Sequence, residues 1–80
     1  MDVEEVLNAI AEMRQDEDVP KGVKAKLESI SEELKGVKEI SLSVNKILSD
    51  LEEVMNDANI DPMVRTQLFN LATLLEGLVS

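Results

Sequence analysis

Slid forward by 41 positions, this chain meets itself. Residues 18–27 read DVPKGVKAKL and residues 59–68 read NIDPMVRTQL. With residues 1–39 laid over 42–80, eight positions are identical and no gap is needed: Val3/Val44, Leu7/Leu48, Glu12/Glu53, Asp16/Asp57, Val23/Val64, Leu27/Leu68, Leu34/Leu75 and Gly36/Gly77. Further pairs keep their chemistry, among them Val6/Ile47, Ile10/Leu51, Val19/Ile60, Lys24/Arg65 and Ile30/Leu71. Chance matching of two acidic helical stretches yields a few identities. It does not hold the apolar positions in phase from end to end, so whatever structure the first half adopts, the second is expected to adopt too.

Each half reads as a helical hairpin. Val3, Val6, Leu7, Ile10 and Met13 follow the three-and-four spacing of a helix with one apolar face. Asp2, Glu4 and Glu5 fall in its first turn, where the helix dipole favours acids. DEDVP interrupts the pattern. Pro20 suits the first turn of a second helix, because its missing N–H has no helical partner there. That helix carries Val23, Leu27, Ile30 and Leu34 inward and is expected to stop near Gly36. In the second half Val44, Ile47, Leu48, Leu51, Val54 and Met55 mark a third helix, with Ser41 or Ser43 as candidate caps. Asp61 and Pro62 open a fourth as N-cap and N1, and its stripe is Val64, Leu68, Leu71, Leu75 and Leu78.

One amphipathic hairpin cannot cover its own stripe, whereas two can cover each other. The expected fold is therefore all-α: an antiparallel four-helix bundle in a single domain, 1–80, made of hairpin repeats 1–39 and 42–80. Eighty residues bury only about 60% of the unfolded surface, so the core must be dense or shared with a partner. Apolar residues make up 44% of the chain and are almost all aliphatic, with Phe69 the one aromatic, which suits helices better than sheet.

Composition removes several classes of function. The chain has no Cys and no His, which excludes disulfides, thiolate metal sites and the commonest general base. Its apolar runs are too short to span a bilayer and its first residues are acidic where a secretory signal is basic, so a cytoplasmic protein is expected. Net charge is −9, and both halves are negative: 11 acidic and 6 basic residues in 1–40, then 6 and 2 in 41–80. That balance disfavours phosphate binding and makes nucleic acid an unlikely partner. Arg14, Lys21, Lys24 and Lys26 are the only candidates for a local basic patch.

DEDVPKGVKAKLESI and NDANIDPMVRTQLFNLATLLE resemble the two signature stretches of a small archaeal family catalogued as uncharacterised, number 0147 in its series. Asp16, Val19, Pro20, Lys21, Val23 and Lys24 match the first; Asp57, Arg65, Thr66, Leu75 and Glu76 match the second. Phe69 stands where that family often has Trp, and Asp61-Pro62 replaces its Met-Pro turn. The resemblance covers nearly the whole chain. It implies an all-α four-helix bundle and implies no activity.

Chemistry is sparse. Asp16, Glu17 and Asp18 lack the ligand spread, central glycine and terminal glutamate of a calcium loop. A bundle dimetal site needs Glu-x-x-His motifs, and Glu12, Glu28, Glu32, Glu52 and Glu53 fall mostly on polar faces. No catalytic residue, cofactor site or metal site is expected, and the protein is read as a non-enzyme. Lys24 and Arg65 occupy matching first-turn positions that the helix dipole disfavours for a cation, so hairpin ion pairs are expected between Asp16 and Lys24 and between Asp57 and Arg65. The fourth helix is apolar beyond its stripe. Met63, Phe69, Leu74 and Val79 are the candidate residues for contact with a protein, whether another chain or a second copy. The leading expectation is a helical interaction or self-association module, and the alternative is an acidic adaptor for a basic protein or ribonucleoprotein.

Overall fold

The four apolar stripes become four helices. The computed structural model describes residues 3–36, 39–57 and 59–79. Its elements are α1 (Val3–Gln15), α2 (Lys21–Gly36), α3 (Ile40–Met55) and α4 (Pro62–Gly77). The contacts close a ring, with α1 against α2 and α4, and α3 against α2 and α4. Neighbours run antiparallel. Lys26 faces Asp50 while Glu33, further along α2, faces Lys46, earlier in α3. Arg65 near the start of α4 reaches Met55 at the end of α3, and Asp16 beyond the end of α1 meets Gln67 in α4.

The side chains turned into the ring form one core. Val6, Ile10 and Met13 enter it from α1, Val23, Leu27, Ile30 and Leu34 from α2, Val44, Ile47 and Leu51 from α3, and Val64, Leu68, Leu71 and Leu75 from α4. Val19 and Ile60 plug it from the two hairpin turns. Each such side chain contributes on the order of 1.5–3 kcal/mol by leaving water, which offsets the ordering of the short chain. A radius of gyration of 11.7 Å matches the value of about 12 Å expected for one compact body of this length. Positions 41 apart are buried together at Val6/Ile47, Ile10/Leu51, Val19/Ile60, Val23/Val64, Leu27/Leu68, Ile30/Leu71 and Leu34/Leu75.

The two turns share hydrogen bonds as well. Asp16 N–H donates to the Met13 carbonyl and Val19 N–H to the Asp16 carbonyl, both at 3.2 Å; Asp57 to Val54 and Ile60 to Asp57 repeat them at the same length. In each turn an aspartate carboxylate accepts the N–H two residues on, at 2.9 Å from Asp18 and from Asn59. This is the local bond that makes aspartate a turn former. The helices that follow begin differently. Asp61 caps α4 by accepting Met63 N–H at 2.8 Å, with Pro62 in the first turn as its sequence suggests. Pro20 sits one residue earlier than expected, just before α2, where its carbonyl accepts Lys24 N–H at 3.0 Å and its ring offers no side-chain acceptor.

One expected boundary is corrected. The third helix begins at Ile40 with Glu39 in the cap position and no side-chain cap bond, so Ser41 and Ser43 lie inside it. Ile40 packs half-buried against the core, and that burial recruits the turn ahead of either serine. Asp2, Val37 and Lys38 lie outside the described residues. Gly36 ends α2 as anticipated, and its identical counterpart Gly77 ends α4.

Candidate functional site

Helix α4 turns the stripe of Val64, Leu68, Leu71 and Leu75 into the core, which leaves its other residues on two flanks and an outer edge. At about 100° per residue, Met63 and Leu74 share one flank, eleven residues apart, while Phe69 lies about 120–140° away from both. Leu74 is half-buried and lines a cleft toward α1 together with Ala9, Met13 and Asp16. Phe69 is on the other side, toward α3, and is 63% exposed. Met63 is 65% exposed in the first turn, and Val79, at 47%, stands in the turn beyond the helix. The four candidate contact residues are thus distributed around α4, and Phe69 is the one set into the α3 side.

There it edges a hollow of about 510 Å³ formed with Glu52, Met55, Asn56 and Arg65. Helical spacing places Leu48 and Met55, seven apart on α3, along the α4-facing flank, and Ala72 one turn on from Phe69. Leu48, Met55 and Ala72 are all partly buried against the core. Of the residues that line the hollow, Met55 and Phe69 are apolar and Glu52, Asn56 and Arg65 are polar, so it is a mixed trough between two helices, with Phe69 on its rim. The matching positions in the first hairpin carry different chemistry. Arg14 and Glu28 stand where Met55 and Phe69 do, and they form an ion pair at 3.8 Å.

Arg65 explains its own awkward place. A cation in the first turn of α4 opposes that helix's dipole, but the guanidinium reaches the end of α3, where unpaired carbonyls favour it. Its Nε donates to the Met55 carbonyl at 3.0 Å and its Nη2 to the Asp57 carbonyl at 3.1 Å. The structure therefore brings Arg65 to Asp57 through the main chain, while the Asp57 carboxylate accepts Asn59 N–H. In the other turn Asp16 accepts Asp18 N–H through Oδ1 and Gln67 Nε2, at 3.3 Å, through Oδ2. These bonds hold the Asp16 carboxyl below its usual value of 3.8; Asp18 contributes most, then Gln67, with partial burial opposing and the Lys24 charge adding a little. Gln67 Oε1, on the same amide, is buried with no hydrogen-bond partner.

The candidate basic patch is partly neutralised. Arg14 faces Glu28 at 3.8 Å and Lys26 faces Asp50 at 3.9 Å. Glu12 and Glu53, identical across the two halves, are exposed and line the α1–α4 and α2–α3 clefts, of about 330 and 520 Å³. Among the described residues no group of three or more acids, histidines or cysteines is placed to hold a metal ion, and no helix is long and apolar enough to cross a membrane. Leu42, 78% exposed on α3, was not singled out by the sequence pattern. The signal was present: two residues before buried Val44, it falls on the outward side of that helix.

Comparison with known proteins gives a family and adds no chemistry. The model of an uncharacterised protein family, UPF0147, matches residues 1–78. A UPF0147 protein of the archaeon Archaeoglobus fulgidus is 36% identical over 74 residues, covering 92% of this chain and 85% of that protein. No solved structure matches. The chain belongs to the UPF0147 family.

Proposed function

We propose that this UPF0147 member is a non-catalytic interaction module: two copies of one helical hairpin, related by a 41-residue period, whose second copy presents a protein-docking face centred on Phe69. The duplicated reading is supported by the matched burial and turn bonds of positions 41 apart. The observation that carries the docking face is the placement of Phe69. The only aromatic side chain in the protein is left 63% exposed, beside a trough floored by Met55. A lone exposed apolar residue is ordinary. An exposed aromatic residue edging a trough between two helices is a place where a partner gains contact area at low entropic cost. Met63 and Leu74 would serve a contact on the α1 side, and Val79 one at the end of α4.

The test is capture from native extract with the wild-type chain, Phe69→Ser and Leu42→Ser. A partner retained through nuclease and high salt, lost with Phe69→Ser and kept with Leu42→Ser, is the expected result. Capture indifferent to Phe69 sinks the reading. The net charge of −9 favours a second reading, an acidic adaptor for a basic protein or ribonucleoprotein. It is distinguished by binding that disappears with salt or nuclease and survives Phe69→Ser.

A further inference from the structure

We infer that the cleft between α1 and α4 is a binding site for an organic cation, a primary ammonium on a short aliphatic chain, with the nitrogen held between Glu12 and Asp16 and the chain laid on Leu74. The site is on the other flank of α4 from Phe69, so it stands or falls apart from the docking face proposed above. The cleft has a volume of about 330 Å³, at the small end of ligand sites. Buried Met13 and Leu71 and partly buried Ala9 and Leu74 supply its apolar lining. Its polar lining is Glu12, Asp16, Gln67 and Asn70, which makes two acids and no cation. Glu12 and Asp16 stand four apart at the end of α1, where like charges repel and the last carbonyls of the helix form a negative pole. Arg14, in the same turn, pairs with Glu28 on α2 at 3.8 Å, and Lys24 is the smallest of the influences on the Asp16 carboxyl. Neither lines the cleft.

The α2–α3 cleft shows the same acids compensated. Glu53 and Asp57, 41 residues on from Glu12 and Asp16, line it, but Lys26 stands there where the α1–α4 cleft has Gln67. Lys26 also faces Asp50 at 3.9 Å, and the counterpart of Asp50 is Ala9. Arg65 brings a second cation to the end of α3 through the carbonyls of Met55 and Asp57. The two clefts therefore keep their acids and differ in their cations, and the α1–α4 cleft is the one that a cation from outside completes. Gln67 points the same way. Its Nε2 donates to Asp16, which leaves Oε1 as an acceptor, and that oxygen is buried with no donor from the protein. The Asp16 carboxylate retains capacity too, since Asp18 and Gln67 occupy two of its roughly four acceptor positions. A bare metal ion suits the cleft less well. Among the described residues no group of three or more acids, histidines or cysteines is placed to hold one, and Ala9 and Leu74 offer surface for carbon.

The probe is butylammonium, titrated into the isotope-labelled full chain and followed by NMR at the backbone amides and at the side-chain amide of Gln67. Saturable shifts at Ala9, Glu12, Asp16, Leu74 and the Gln67 side chain are expected. Glu12→Gln should weaken binding by about threefold. Glu53→Gln, the same change in the other cleft, should leave binding unaltered, and so should Phe69→Ser. Equal binding of butanol, similar in size and uncharged, overturns the inference. So do equal shifts with calcium ions, shifts centred on Gly22 and Glu53, equal weakening by Glu12→Gln and Glu53→Gln, or the absence of saturation at millimolar ligand. A lysine blocked at both backbone ends carries the same ammonium on a peptide unit. If it binds more tightly than butylammonium, the site is supported with a lysine of a partner protein as its source; if more weakly, the site is supported with a free amine.

Discussion

The two hairpins bury seven pairs of matching positions and differ in what they display. Leu27 and Leu68 are each fully enclosed at matching places in α2 and α4. One residue further along, Glu28 pairs with Arg14 in the first hairpin while Phe69 stands exposed beside Met55 in the second. The turns diverge in the same selective way. Asp16 and Asp57 make the same local bond, yet Arg65 fastens the second turn to α3 through two carbonyls, where its counterpart Lys24 is felt at Asp16 as charge. Burial and turn geometry constrain residue type at the matching positions, because each buried stripe must fit the other. Outward positions are free of that requirement, so they are where one half can differ from the other.

The comparison can be broken most sharply at the core. Leu27→Ala and Leu68→Ala should each cost about 2–5 kcal/mol in denaturant unfolding, and should cost similar amounts. Losses that differ by most of that range would mean the two sites are not structurally equivalent. At the turns the hairpins should part company. Arg65→Ala is expected to cost about 1–3 kcal/mol, since it frees two carbonyls from charged donors, while Lys24→Ala should cost under about 1 kcal/mol. Equal losses would mean that the guanidinium bonds add nothing beyond charge. The smallest effect concerns acid. The Asp16 carboxyl is depressed on folding, so its contribution is fully present above the usual value of 3.8 and is lost as pH falls below that value through the folded one. Asp16→Asn should accordingly flatten the acid limb of the stability profile and leave its slope near neutrality unchanged. A profile with the same acid limb as the wild type would assign the lowered pKa no role in stability.

Most of the fold was legible in the apolar spacing. Val6, Ile10, Leu27, Leu34, Ile47, Leu51, Leu68 and Leu75 announce their burial by period alone, and Asp61-Pro62 announces the start of α4. What stayed hidden depends on neighbours that no single helix specifies. Arg65 bonds main-chain carbonyls, and a carbonyl has no letter of its own. The start of α3 is decided by Ile40 packing on the core, which outweighs two well-placed serines. Met63, Leu74 and Phe69 could be sorted onto separate flanks of α4 by counting, but which flank meets α1 and which meets α3 follows only from the closed order of the ring.

The lone aromatic has an optical consequence. With no Trp and no Tyr, the protein is dark in the near ultraviolet apart from the weak absorption of Phe69. A Phe69→Trp chain would carry a single emitter, set on the rim of the trough at a site exposed enough to accept the larger ring. Its emission would lie toward the red while the ring faces solvent and move toward the blue when the trough is covered. Occupancy could then be read directly from the colour of one side chain, against a silent background and without an attached dye.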